Sequence, residues 1–198
     1  FNRKLYRVKS FGDTLLMEAE SPDGEDGFPG NLKIAVRYTL TDDNTFRMDY
    51  RVSSDADTIV NLTNHSYFNL DGGGDVLGQK LRIYASRYLE GNNTTCPTGN
   101  ILPVANTPMD FTAGKLIGKE IDTGFPQTTM VGGGYDHCYV IDRARGSSQS
   151  ICAWATSDKT GISMKLYTTQ PGIQLYTGNF LQDCPAPGLS LIHISEPT

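Results

Sequence analysis

The 198-residue chain lacks an uninterrupted apolar run long enough to span a bilayer, lacks a Cys-x-x-Cys pair, and lacks a stripe of lysine and arginine. Without roughly 20 consecutive apolar residues there is no membrane-spanning helix to read. The four cysteines, Cys96, Cys138, Cys152 and Cys184, are widely separated and have no histidine ladder beside them, so they read as reduced, half-buried thiols rather than zinc ligands. Acidic residues outnumber basic ones by 22 to 17, for a formal charge of -5. With no cationic cluster to neutralise phosphates, this balance argues against nucleic acid as a partner. Histidine occurs three times and tryptophan once, so a histidine set among many polar groups stands out.

What is present suits a single all-β domain. Hydrophobic residues make up 38% of the chain, including ten Tyr and eight Phe, which is enough for a sizeable core. The apolar period is mostly two. "LKIAVRYTL" and "FRMDYRV" alternate across "TDDN", and "GISMKLYTT" and "IQLYTGNF" flank the turn-forming "QPG". "ESPDGEDGFPGN" reads as a turn-rich connection, since strands resume at once beyond it. No helix of about ten or more residues is legible. "FTAGKLIGKEID" accommodates one short helical turn with Thr112 as its N-cap. The expectation is a β-sandwich with long loops.

Three stretches carry chemistry. In "NLTNHSYFNLDGGG", an extended Asn61–Leu70 would turn Asn61, Thr63, His65, Tyr67 and Asn69 to one face. A sheet face rich in amides, hydroxyls and rings is a poor apolar core, because each buried polar atom needs a partner. It suits a ligand covered in hydroxyls, such as a sugar; a surface strand with a solvated histidine fits the alternation equally well. In "GGGYDHCYV", three glycines precede Asp136, whose carboxylate can accept hydrogen bonds from adjacent sugar hydroxyls. His137, its neighbour, points to the opposite face of a regular strand and reads as structural. In "YTTQPGIQLYTGNF", Gln174, Tyr176 and Gly178 share a face if the strand is regular, offering an amide and a ring; a strand with solvated hydroxyls is the alternative.

"SPDGEDGFPGNL", "NLTNHSYFNL", "ILPVANTPMDF", "GGGYDHCYV" and "TTQPGIQLYTGNF" occur in this order, and together the chain resembles the aldose 1-epimerases, or galactose mutarotases, over nearly all of residues 1–181. The resemblance implies a large β-sandwich of the galactose-mutarotase type, a supersandwich, with a sugar cleft on one sheet. It implies His65 as the general acid, Asp136 and Gln174 as sugar contacts, and Asn64 and Tyr67 beside His65 as further sugar contacts. The partner implied is a free hexose, with no cofactor, no metal, no nucleic acid and no membrane. Interconverting α and β anomers opens the ring: a base removes the anomeric hydroxyl proton while an acid protonates the ring oxygen. An imidazole titrating near neutrality suits the second task.

The resemblance also marks departures. The family's base is a glutamate in a "LET"-like segment after the "YTGNF" block, and its upstream arginine and second histidine would precede Phe1. Here only Glu196 follows that block, inside "LSLIHISEPT". Those ten residues can be written CTG TCT CTT ATA CAC ATC TCC GAG CCC ACG, which resembles a transposase adapter from sequencing-library preparation. Residues 189–198, with His193 and Glu196, are therefore expected to be adapter translation. Residues 1–188 are expected to be an aldose 1-epimerase domain incomplete at both ends, carrying the acid and part of the sugar surface. Two other readings remain: a sugar-binding sandwich that never catalyses, and a phosphosugar or polysaccharide-active relative. The phosphosugar reading would require a cationic cluster near the cleft.

Overall fold

The computed structural model describes residues 4–143 and 147–181; Cys184, His193 and Glu196, and the proposed adapter residues, lie outside them. The described chain forms three four-stranded antiparallel sheets and divides into two compact units, the first ending at His65 and the second beginning at Ser66.

The first unit is one meander of β1 (Arg7–Phe11), β2 (Thr14–Ser21), β3 (Leu32–Leu40) and β4 (Phe46–Ser54). Its turns follow from their residues. Gly12, with φ 57°, opens the two-residue loop that pairs Phe11 with Thr14. Across "TDDN", Asn44 takes φ 61° and the Thr41 hydroxyl accepts the Thr45 N–H at 3.2 Å, so β3 and β4 pair in register from Leu40 opposite Phe46 to Leu32 opposite Ser54. The period-two alternation buries Leu32, Ile34 and Val36, with Met17, Tyr38, Val52 and Leu62 packed against them.

The second unit is a sandwich. Its strands are β5 (Lys80–Ile83), β6 (Arg87–Gly91), β7 (Pro97–Pro103), β8 (Lys115–Leu116), β9 (Asp136–Val140), β10 (Ser150–Thr156), β11 (Ser163–Thr168) and β12 (Gly172–Tyr176), with one short helix, α1 (Pro126–Met130). One sheet runs β11-β10-β5-β8 and the other β12-β9-β6-β7. β11 and β12, adjacent in sequence across "QPG", therefore belong to different sheets. Leu81, Ile83, Ala153 and Ala155 from the first sheet meet Tyr88 and Tyr139 from the second in one core. The "TPMDF" segment between β7 and β8 inserts Met109 and Phe111 into that core, both fully buried. Phe111 lies edge-on to Tyr135 and Tyr139, with ring centroids 5.2 and 6.4 Å apart. Both tyrosine hydroxyls find backbone acceptors, Tyr139 at Met109 O and Tyr135 at Pro108 O, each at 3.1 Å. Burial raises both phenol pKa values well above their usual 10.

Several local expectations are corrected. Asn61–Leu70 is not a strand: it enters no ladder, and its alternation of exposure slips where Ser66 follows His65 as a second exposed residue. At its end the asparagine side chain competes with any ladder. Asn69 spends its side chain on Asp71 N, the Gln79 amide and Gly74 O at 2.7–2.9 Å, building a turn instead of lining a sheet. Thr112 caps no helix; its N–H and hydroxyl both go to Asp110 Oδ1, and the only helical turn nearby is a 3₁₀ turn at Ile117–Glu120 that follows Leu116. The short helix α1 has no counterpart among the expected elements; Pro126 at its first turn pre-sets the backbone. Gly178 lies beyond the end of β12 with φ 76°, so it does not share the face of Gln174 and Tyr176.

The core makes a direct prediction. Phe111→Ala should cost about 3–5 kcal/mol in chemical denaturation, whereas Ile162→Ala, at a 53% exposed loop position, should change stability by less than about 0.5 kcal/mol.

Candidate functional site

β9 and β12 pair so that Asp136 faces Tyr176 and Cys138 faces Gln174. Strand alternation then sends Asp136, Cys138, Gln174 and Tyr176 to the outer face and His137 and Tyr139 to the core. Asp136 and Gln174 are diagonal neighbours across the pair, within reach of a long side chain. The Gln174 amide donates to Asp136 Oδ1 at 2.7 Å. Tyr176 accepts the Phe180 N–H at 3.2 Å, and the Tyr67 ring lies 5.9 Å from it, tilted by 51°. A half-buried carboxylate, an exposed amide and two phenol rings thus share the outer surface of one sheet.

The inner side of β9 holds this arrangement. His137 is only 2% exposed. Its Nδ1 accepts the Asp136 N–H at 3.2 Å, which leaves the proton on Nε2, donated to Gln127 Oε1 at 3.0 Å. Gln127, from α1, also accepts the Gly91 N–H at 2.8 Å and returns its amide proton to Gly91 O at 3.1 Å. The imidazole meets Tyr88 edge-on at 5.7 Å. Burial lowers the His137 pKa from its ordinary 6.5, and the neighbouring Asp136 carboxylate opposes that shift. The ring is neutral at neutral pH. Burial also raises the Cys138 thiol, so it is protonated and inert.

The turn into β9 is clamped by the segment after β12. Thr177 Oγ1 accepts the Tyr135 N–H at 2.8 Å and donates to Asn179 Oδ1 at 2.6 Å; Asn179 Nδ2 donates to Val131 O at 2.7 Å and to Tyr135 O at 3.2 Å. The glycine run serves this contact. A Cβ on Gly132 would come within 2.9 Å of the Phe180 ring, and one on Gly134 would overlap Asn179 Oδ1 and Thr177 Oγ1.

Of the residues picked from sequence, Tyr67, Asp136 and Gln174 lie in the second unit, where Asp136 and Gln174 are in direct contact. Asn64, half-buried, and His65, exposed, close the first unit. Tyr67 follows His65 after a single intervening residue. Sequence reading missed Thr177, Asn179 and Gln127. The signal for the first two was a run of small polar residues directly after a strand, "TGN", facing the glycine run. Gln127 gave none, since its role depends on α1 docking beside β6. Among the described residues no three His, Cys, Asp or Glu side chains gather as a metal site would need. The arrangement is suited to holding a neutral polyol: carboxylate and amide for paired hydroxyls, rings for CH faces.

Gly134→Ala should therefore destabilise the protein by about 3 kcal/mol, the upper end of ordinary overpacking, while Gly133→Ala, which has open space and φ 84°, should cost about 1–2 kcal/mol of backbone strain. Asn179→Ala combined with Gly134→Ala should recover part of the loss, measured by thermal melts of the four proteins.

Comparison with known proteins identifies the setting. The aldose 1-epimerase family model matches residues 2–192. Aldose 1-epimerase from Escherichia coli strain K12 is 38% identical over 190 residues, covering 95% of this chain and 54% of its own length. Galactose mutarotase from Rattus norvegicus is 37% identical over 183 residues, covering 91% and 51%. Among solved structures, an aldose epimerase homologue from C. elegans superposes with a TM-score of 0.75 at 30% identity, over 89% of this chain and 52% of its own. Galactose 1-epimerase from Lactobacillus acidophilus does so at 0.72 and 26% identity, over 88% and 50%. The chain spans about half the length of the curated relatives it matches. The fold is that of the galactose mutarotases over this span, and the chain belongs to the aldose 1-epimerase family.

Proposed function

We propose that the protein to which this chain belongs interconverts the α and β anomers of free hexoses, glucose or galactose, with His65 as general acid and Asp136, Gln174, Asn64 and Tyr67 as sugar contacts. The observation that carries this reading is the Asp136–Gln174 pair, a carboxylate and an amide locked together on one sheet face of an aldose 1-epimerase family chain. Both groups come from blocks that the family resemblance marks as sugar-binding.

The reaction needs only proton transfers. The protonated His65 imidazole gives its proton to the ring oxygen as the bond from that oxygen to the anomeric carbon breaks. A base takes the proton from the anomeric hydroxyl, and that oxygen becomes the aldehyde carbonyl. Rotation about the bond between the first and second carbons, followed by the reverse transfers, closes the other anomer. Positioned acid–base catalysis of this type contributes about 10²- to 10⁴-fold. Asp136 and Gln174 would hold hydroxyls remote from the reacting carbon, fixing the ring so that its oxygen meets the acid. Glu196 is given no part in this scheme, and the base is assigned to no residue of this chain.

The test is polarimetry of freshly dissolved α-glucose and α-galactose with the gene product extended to family length. His65→Ala should slow catalysed anomer exchange by about 10²-fold or more while changing hexose affinity little. Asp136→Asn and Gln174→Leu should weaken binding first. Hexose binding with no catalysed exchange in the wild type would instead favour a sugar-binding protein, and an unchanged rate in His65→Ala would remove that residue from the acid role.

A further inference from the structure

Asp136 is held from behind by an imidazole that reaches no solvent. His137 Nδ1 takes the Asp136 backbone N–H, and its Nε2 proton goes to Gln127, which is itself locked to both polar groups of Gly91. An N–H at Nδ1 is incompatible with that contact, because two donors would then face each other. The chain of bonds runs from β6 through α1 to the first residue of β9, the residue whose carboxylate meets Gln174 at 2.7 Å.

We propose that His137, backed by Gln127, is the positioning residue for the sugar-binding carboxylate, and that its protonation releases the start of β9 and uncouples Asp136 from Gln174. The proposal rests on the reading of Asp136 as a sugar contact. It gives the site an acid limit set by the buried imidazole. Three of the elements packed around the ring bring no carboxylate against it: β6 presents Tyr88, α1 presents Gln127, and β12 places Leu175 opposite. Glu90, further along β6, is engaged by Thr98 and Asn100. Asp136 on its own strand favours the charged ring less than burial disfavours it. The sign follows. The neutral, competent form prevails at neutral pH, and the contact is lost as pH falls through a value below the ordinary 6.5.

Two variants separate positioning from mere filling of space. His137→Asn places an amide oxygen where Nδ1 stood and cannot titrate, whereas His137→Leu removes the acceptor. Hexose affinity would be measured by calorimetry on the full-length gene product between about pH 4 and 8, a range that spans the ordinary imidazole value. The wild type should lose affinity on acidification as His137 takes up a proton. His137→Asn should bind within about threefold of wild type at neutral pH and hold its affinity further into acid than the wild type does; His137→Leu should bind about tenfold more weakly throughout. Imidazole nitrogen NMR on the same samples should show Nδ1 unprotonated at neutral pH, with the Asp136 amide shift following the ring's titration. If His137→Asn loses affinity over the same pH range as the wild type, the proposal fails, whether or not His137→Leu folds. If the wild type binds no hexose, the sugar reading fails. The NMR coupling of the Asp136 amide to the ring then still decides the positioning role, and an amide that ignores the ring overturns it.

Discussion

The strand that carries the candidate site buries an imidazole and a phenol on its inner face, and a buried polar group left without a partner costs about 1–3 kcal/mol. Most of the polar groups in and just before β9 that go inward are met from other segments of the chain. Met109 O takes the Tyr139 hydroxyl, Pro108 O takes that of Tyr135, Gln127 takes the His137 proton, and Thr177 with Asn179 takes the Tyr135 backbone. The loop before β8, the helix α1 and the segment after β12 are thereby tied to one strand. Their order is the condition under which Asp136 stands diagonally across from Gln174.

This tethering explains why the outer face can remain polar without collapsing. Asp136 and Gln174 are side chains with rotameric freedom, and ordering them on ligand binding costs affinity unless they are ordered beforehand. Their mutual hydrogen bond orders them on the outside; the imidazole behind orders the backbone on the inside. The inner row is kept neutral by burial, the imidazole at neutral pH and the phenols well beyond it, so no net charge sits in the core beneath the site. Lys115 approaches this core with its ammonium over the Phe111 ring at 4.6 Å and pairs with Glu120 at the margin.

Strands with a plain period of two were legible from sequence, and so was the β3–β4 hairpin of the first unit, because it is closed by local turn chemistry at Asn44. The partition of β11 and β12 into different sheets was not legible, since a "QPG" turn serves equally for a hairpin and for a crossing between layers. Asn61–Leu70 misled for a physical reason: asparagine side chains offer the backbone a competing partner, and at Asn69 that competition won. The glycine run before Asp136 gave no sign of its partners, which only the structure supplies: Gly132 and Gly134 admit Phe180, Thr177 and Asn179.

The sequence by itself determined the chemistry on offer. The order of its blocks set the family, strand alternation set Asp136 outward and His137 inward, and the scarcity of cationic clusters set what the surface does not favour. Tertiary structure alone decided what each of those groups touches. Residue 136 meets residue 174 because an antiparallel register places them diagonally, and residue 137 meets residue 127 because a five-residue helix docks beside β6. Contacts of this kind depend on where separate segments are brought together by burial, and no local pattern in either partner encodes the other.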